Sequence, residues 1–203
     1  MYRLQNKRIT VLFTIVALFL TGNITISYAR GQDKDISFCG GMFYRAGWCR
    51  IETPAGEISG FSPGLGGKLG FFLSPSFRLG AMGFSGSLRY DKGVHAPSSY
   101  ISTGAGGLSA EFVRHMHAMR FAAGVMMGGG RLEHLHIIAI NEGSNTVSYE
   151  DYSTFLIAPV LSLEYPLSEK ITAALMADWL FGNAVIAGKH YGPSLRLGIL
   201  FTH

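Results

Sequence analysis

Two histidine pairs are the first residues whose types and spacing could do chemistry: His115-Met116-His117 and His134-Leu135-His136. On a strand, residues i and i+2 share a face, so each pair could offer two imidazoles to a metal. A metal site needs further ligands. Glu133 stands nearest the second pair, but on a straight strand it points to the other face. The histidines therefore read as residues of the water interface, and neither a metal nor any other cofactor is expected. Asp91, His95 and Ser98 supply an acid, a base and a nucleophile within one polar segment. Nucleophilic catalysis needs the base held within hydrogen-bond reach of the nucleophile. A loop fixes no such geometry, so no catalytic residue is assigned and the chain is expected not to be an enzyme. The glycine-rich stretches Pro63–Gly70 and Met127–Arg131 lack the Gly-Lys-Ser/Thr ending of a phosphate loop, so nucleotide binding is not expected.

Cys39 and Cys49 are a candidate disulfide. Bridging needs Cα atoms within about 7 Å. Ten residues of straight strand would separate them by roughly 33 Å. Either the segment folds back and they bond, or it is one strand and they stay apart.

The elements that position these residues follow from composition and pattern. Hydrophobic residues make up 48% of the 203 positions and charged residues only 15%, against roughly 25% in ordinary soluble domains. Disorder is excluded on that ground. The 27 glycines argue against a helical bundle, since each mid-helix glycine costs about 1 kcal/mol. A pI near 9.1 points at first to nucleic acid. Three of the 17 basic residues, Arg3, Lys7 and Arg8, stand in the first 29 positions, where there is no acid. The remaining 14 bases face 13 acids, so no nucleic-acid partner is expected.

Those first 29 residues have the layout of a secretory signal peptide. A basic start precedes the apolar run Ile9–Leu20, and Ser27-Tyr28-Ala29 places small residues for cleavage after Ala29. Export is expected, with residues 30–203 forming a single domain.

No segment after the leader is a clean apolar run of the ~20 residues a membrane helix needs. The chain shows instead segments of alternating polarity separated by turn residues, the signature of a transmembrane β-barrel. Three short turns, at Ser74-Pro75-Ser76, Met116-His117-Ala118 and Pro166–Lys170, alternate with longer polar links at Asp91–Tyr100, Asn141–Tyr152 and Phe181–His190. Seven strands are expected at Leu65–Leu73, Phe77–Tyr90, Thr103–His115, Met119–Ile138, Ser153–Tyr165, Ile171–Leu180 and Tyr191–Thr202. Closure in lipid requires every backbone edge to be paired, and Ser37–Trp48 supplies the eighth. The fold class is all-β, an eight-stranded antiparallel up-and-down transmembrane barrel.

One parity of each strand is apolar and expected to face lipid, as with Leu195, Leu197, Ile199 and Phe201. Aromatics near strand ends, among them Tyr152, Tyr165, Trp179, Tyr191 and Phe201, read as interfacial girdles. In the strand Phe77–Tyr90 the apolar parity changes after Gly83, which predicts a bulge there. On the opposite parity stand Lys68, Arg78, Arg120 and Arg196 with Glu111, Glu164 and Asp178. An interior of this size is filled by side chains, and charges inside it must pair. The near balance predicts an ion-pair network in the lumen and not a pore selective for one sign. Arg78, Arg120 and Glu164 lie closest to turns and are expected nearest the rim.

The leader to Ala29, the turn Glu164–Thr172 and the terminal strand Ser194–His203 together resemble the small eight-stranded outer-membrane proteins of Gram-negative bacteria. These comprise the OmpA transmembrane domain and the OmpX, OmpW and opacity-like types. The resemblance implies outer-membrane lipid and lipopolysaccharide as surroundings and the barrel-assembly machinery as a partner. In that family the last strand ends in Phe or Trp; here Phe201 fits and the final residue is His203. The function it implies is non-enzymatic: envelope structure, surface interaction with an unknown external ligand, or a porin-like narrow pore for small solutes. The alternative is a barrel enzyme modifying outer-membrane lipid, such as a lipid A deacylase or acyltransferase. Such deacylases resemble this size class but use a His-x-Ser pair, and none occurs here.

Overall fold

The computed structural model describes residues 37–53, 56–90, 99–140, 144–184 and 188–202. The leader, and with it the cleavage site, lies outside them. The described residues form one closed antiparallel barrel in which each strand pairs with its chain neighbours and β1 closes on β8. The strands are β1 Phe38–Thr53, β2 Gly56–Ser74, β3 Phe77–Tyr90, β4 Ser99–Met116, β5 Met119–Ile140, β6 Ser144–Pro166, β7 Ile171–Ala184 and β8 Gly188–Thr202.

The sequence dictates this arrangement through its period of two. On β8, Leu195, Leu197, Ile199 and Phe201 are exposed while Ser194, Arg196 and Leu200 are buried. Outward side chains form an apolar belt around the barrel, with Leu108 76% and Leu197 64% exposed. A soluble monomer rarely exposes a contiguous apolar surface of this kind; lipid is its solvent. Phe38, Phe71, Phe112, Tyr165 and Phe201 stand near the turn end of the belt, and Trp48, Phe61, Phe155 and Trp179 near the other.

Short connections bind the turn end. Leu167 and Ser168 donate backbone N–H to the Ile171 carbonyl at 2.8 and 3.0 Å, and the Ser168 hydroxyl accepts from Ile171 N at 3.2 Å. His117 turns the chain from β4 to β5 with φ 54°.

Four expectations change. The two cysteines are free and buried on the same strand, β1, so the unbonded alternative holds and the candidate disulfide does not form. No bulge occurs at Gly83: β3 stays in register with β2 and β4 through it, and the one irregularity falls between Phe72 and Ser74. The parity of β3 is constant, with Arg78, Met82, Phe84, Leu88 and Tyr90 inward throughout. What changes after Gly83 is the surroundings. The outward residues become Ser85, Ser87 and Arg89 as the strand leaves lipid, while the interior becomes apolar.

Tyr152 is not a girdle residue, because its parity turns it into the barrel beside Leu132 and away from lipid. The Tyr191 side chain lies outside the described residues. The strands also run further than expected at the end away from the turns. β1 continues to Thr53 and β2 begins at Gly56, while β5 and β6 pair out to Ile140 and Ser144. The added stretch of β6 is mostly polar, while β5 opposite it stays apolar through Ile137, Ile138 and Ile140.

Candidate functional site

The inward side chains of the described strands stack in layers. At the turn end, Glu111 on β4 accepts from Lys68 Nζ (2.6 Å, β2) and Arg78 Nε (2.6 Å, β3). Arg78 reaches on across the lumen to β6, where Nη2 and Nη1 donate to Glu164 Oε1 and Oε2 at 2.6 and 3.3 Å. Arg120 Nε stands 3.5 Å from Glu164 Oε2, and its Nη2 donates to Thr172 Oγ1 at 2.9 Å. The Ser162 hydroxyl donates to Glu164 at 3.3 Å. Bidentate guanidinium pairing of this kind is the strong form of a charged hydrogen bond.

The layer above joins Asp178 on β7 to Arg196 on β8 at 2.6 Å, and the Ser194 hydroxyl donates to the same carboxylate oxygen at 2.6 Å. Phe43 and Phe84 lie under the Arg196 guanidinium, each 4.9 Å from ring centre to Cζ. Met126, Leu156, Met176 and Leu180 pack around them. Above that stand Cys49, Ile51, Ile58, Leu88, Ile101 and Leu132.

A polar cluster closes the end away from the turns, above the apolar belt. Tyr90 Oη and His134 Nε2 are 2.5 Å apart. Glu150 Oε2 lies 3.8 Å from His134 Nδ1 and accepts from Tyr152 Oη at 2.5 Å. Burial raises the Tyr90 phenol, a hydrogen bond with Ser99 lowers it, and the Glu150 charge raises it again. Burial pushes the Tyr152 phenol up to about 12, reinforced by its hydrogen bond to Glu150 and by that carboxylate's charge. On the outer face of the same hairpin Arg131 pairs with Asp151 and lowers its carboxyl.

All seven residues of the expected lumen network point inward, and they form two groups: Lys68, Arg78, Glu111, Arg120 and Glu164 below, Asp178 and Arg196 above. The expected rim order is reversed for two of them. Arg78 is 1% and Glu164 0% exposed, because their long side chains reach from strand ends into the barrel; Arg120 stays nearest water. Sequence reading missed Arg45, an inward residue of β1 that is 3% exposed. Its signal is the parity it shares with Cys39, Phe43 and Cys49. The cluster of Tyr90, His134 and Glu150 was missed as well, since it joins three strands. His115 stands near the end of β4 and His117 in the β4–β5 turn, and the side chain of His136 lies outside the described residues, as do Asp91, His95 and Ser98. No group of three metal-ligating side chains occurs among the described residues.

No protein-family model and no curated protein sequence matches the chain. Solved structures do. Ail, the attachment invasion locus protein of Yersinia pestis, superposes with a TM-score of 0.51 at 10% identity, over 83% of this chain and 99% of that one. Neisserial surface protein A gives 0.49 at 14% identity, over 81% and 96%. The outer membrane protease OmpT of Escherichia coli gives 0.47 at 9%, over 87% and 99%. Eight antiparallel strands in a closed ring, a lipid-facing belt and a packed interior give this chain the fold of the small outer-membrane β-barrel proteins.

Proposed function

We propose that the protein is a non-enzymatic barrel of the bacterial outer membrane that works by surface recognition, through the free edge of the β5–β6 hairpin. One observation carries this reading. β6 pairs with β5 from Ser144 onward but with β7 only from Thr154 onward. Residues 144–149 therefore have a strand on one side only, among the described residues. That is roughly 20 Å of open backbone along the strand. Proline and lysine, which often guard an exposed edge, are absent from this stretch. Val147 and Tyr149 are exposed on its outer face. Such an edge receives an extended segment of a partner by strand addition. The packed lumen supports recognition over solute passage. The acid and base groups of the mouth cluster face the lumen and not lipid, which weighs against a lipid-modifying enzyme.

Successive residues of an antiparallel strand send their N–H groups to opposite neighbours. Of Val147→Pro and Ser148→Pro, one removes a bond to β5 and the other removes only a donor of the free edge. Extended peptides selected from a displayed library against the protein in nanodiscs are expected to bind. The edge-only variant should lose that binding at least about tenfold while the heat-dependent gel shift of the folded barrel persists. Peptides that ignore both variants, or a changed lipid acyl pattern on expression, would overturn the reading.

A further inference from the structure

The buried charges of the lumen do not balance. Among the described residues four cations are buried, Arg45, Lys68, Arg78 and Arg196, against three carboxylates, Glu111, Glu164 and Asp178. Arg120, 16% exposed, shares Glu164, so the lower group holds Lys68, Arg78 and Arg120 against Glu111 and Glu164, with its extra cation at the rim. The layer above has a surplus of its own, fully buried, because Arg45 and Arg196 have only Asp178. The two arginines are direct cross-strand partners on β1 and β8. Like charges directly opposite repel, and an uncompensated buried charge is costly.

Some of their donors are unfilled too, although Arg196 Nη1 donates to the Met82 sulfur at 2.7 Å. Arg45 Nε has no hydrogen-bond acceptor among the described residues, nor do Arg196 Nε and Nη2, although these residues are 3% and 0% exposed. The close approach of Asp178 to Arg196 Nε is thus a charge contact without an aligned hydrogen bond. Arg45 lies over the Phe84 ring at 4.5 Å, so both guanidinium groups rest on one aromatic side chain. Space is kept for Arg45. A Cβ on Gly47 would stand 2.6 Å from Arg45 Nη1, and one on Gly86 would meet the buried Ser62 hydroxyl at 2.8 Å and Arg45 Nη1 at 3.3 Å.

We propose that this layer binds one small monovalent anion of the halide class, held by the Arg45 and Arg196 guanidinium groups. A single negative charge neutralises the surplus of this layer, whereas a dianion would reverse it. Phe43, Phe84 and Met82 pack closely around the arginines, so the anion has to be small. The site is independent of the recognition edge.

Two measurements on the protein extracted from membranes into detergent test it. Crystals grown in bromide should show an anomalous peak in contact with both guanidinium groups. At fixed ionic strength, replacing gluconate by bromide should raise the unfolding midpoint saturably, by about 4 °C at ten times the dissociation constant. Arg45→Met should abolish that rise, and Arg120→Gln, in the other charge cluster, should keep it. Water alone at the position, or a rise that survives Arg45→Met, overturns the proposal. The bromide crystal decides the matter even where Arg45→Met does not fold.

Discussion

Glu164 shows what a single residue carries in this interior. It is fully buried and shared by Arg78, Arg120 and Ser162. Glu164→Gln leaves those cations facing a neutral amide and should cost about 3–5 kcal/mol, read as a lower urea midpoint. Adding Arg78→Met should cost less than the two single changes together, because the residues act as a unit. Tyr152 gives a test by pH. An unperturbed phenol titrates near 10, and burial and Glu150 raise this one to about 12. The folded state holds the proton more tightly, so the contribution of Tyr152 is present below about pH 10 and is lost as pH climbs through about 12. Ultraviolet difference titration of Tyr152→Phe should show one late-ionising phenol fewer. The lumen charges were legible because strand parity sorts inward from outward. Their depth was not, because nearness to a turn locates a Cα and not the end of a guanidinium. Arg45 stayed hidden because Gly40, Gly41 and Gly47 interrupt the alternation of β1.

Strands meet at set registers, and the glycines show where the spacing is tight. Gly64 on β2 lies opposite Gly86 on β3, and a Cβ on it would strike the Ser85 carbonyl oxygen. A Cβ on Gly104 of β4 would meet nothing within 4 Å. Gly64→Ala should therefore displace the β2–β3 pairing at a cost of roughly 1–3 kcal/mol, while Gly104→Ala should fall within about 0.5 kcal/mol of the parent. Urea unfolding followed by tryptophan fluorescence separates the two. Strand number and order could be read from turn residues and the need for closure. Strand length could not for β1, β2 and β6, whose added residues carry no clean alternation, whereas β5, apolar to its end, was read to within two residues. The bulge expected at Gly83 was a misreading of the boundary between lipid and water, seen from inside the barrel.

For the molecule as a whole, the layered interior makes a direct prediction about transport. Arg78 and Glu164 bridge the lumen at one end, and Phe43, Met126, Leu156 and Leu180 fill its middle. Planar bilayers containing the protein should show no steady ohmic current, and a constant conductance would mean that these layers part in the membrane. The general architecture was legible from the alternation of β8 and the short turns; how the lumen is filled required the side chains in three dimensions. The stretch of β6 that runs past β7 has a further consequence. Val147 and Tyr149 stand outward on it. It offers a ready mount for displaying a chosen peptide on a living cell.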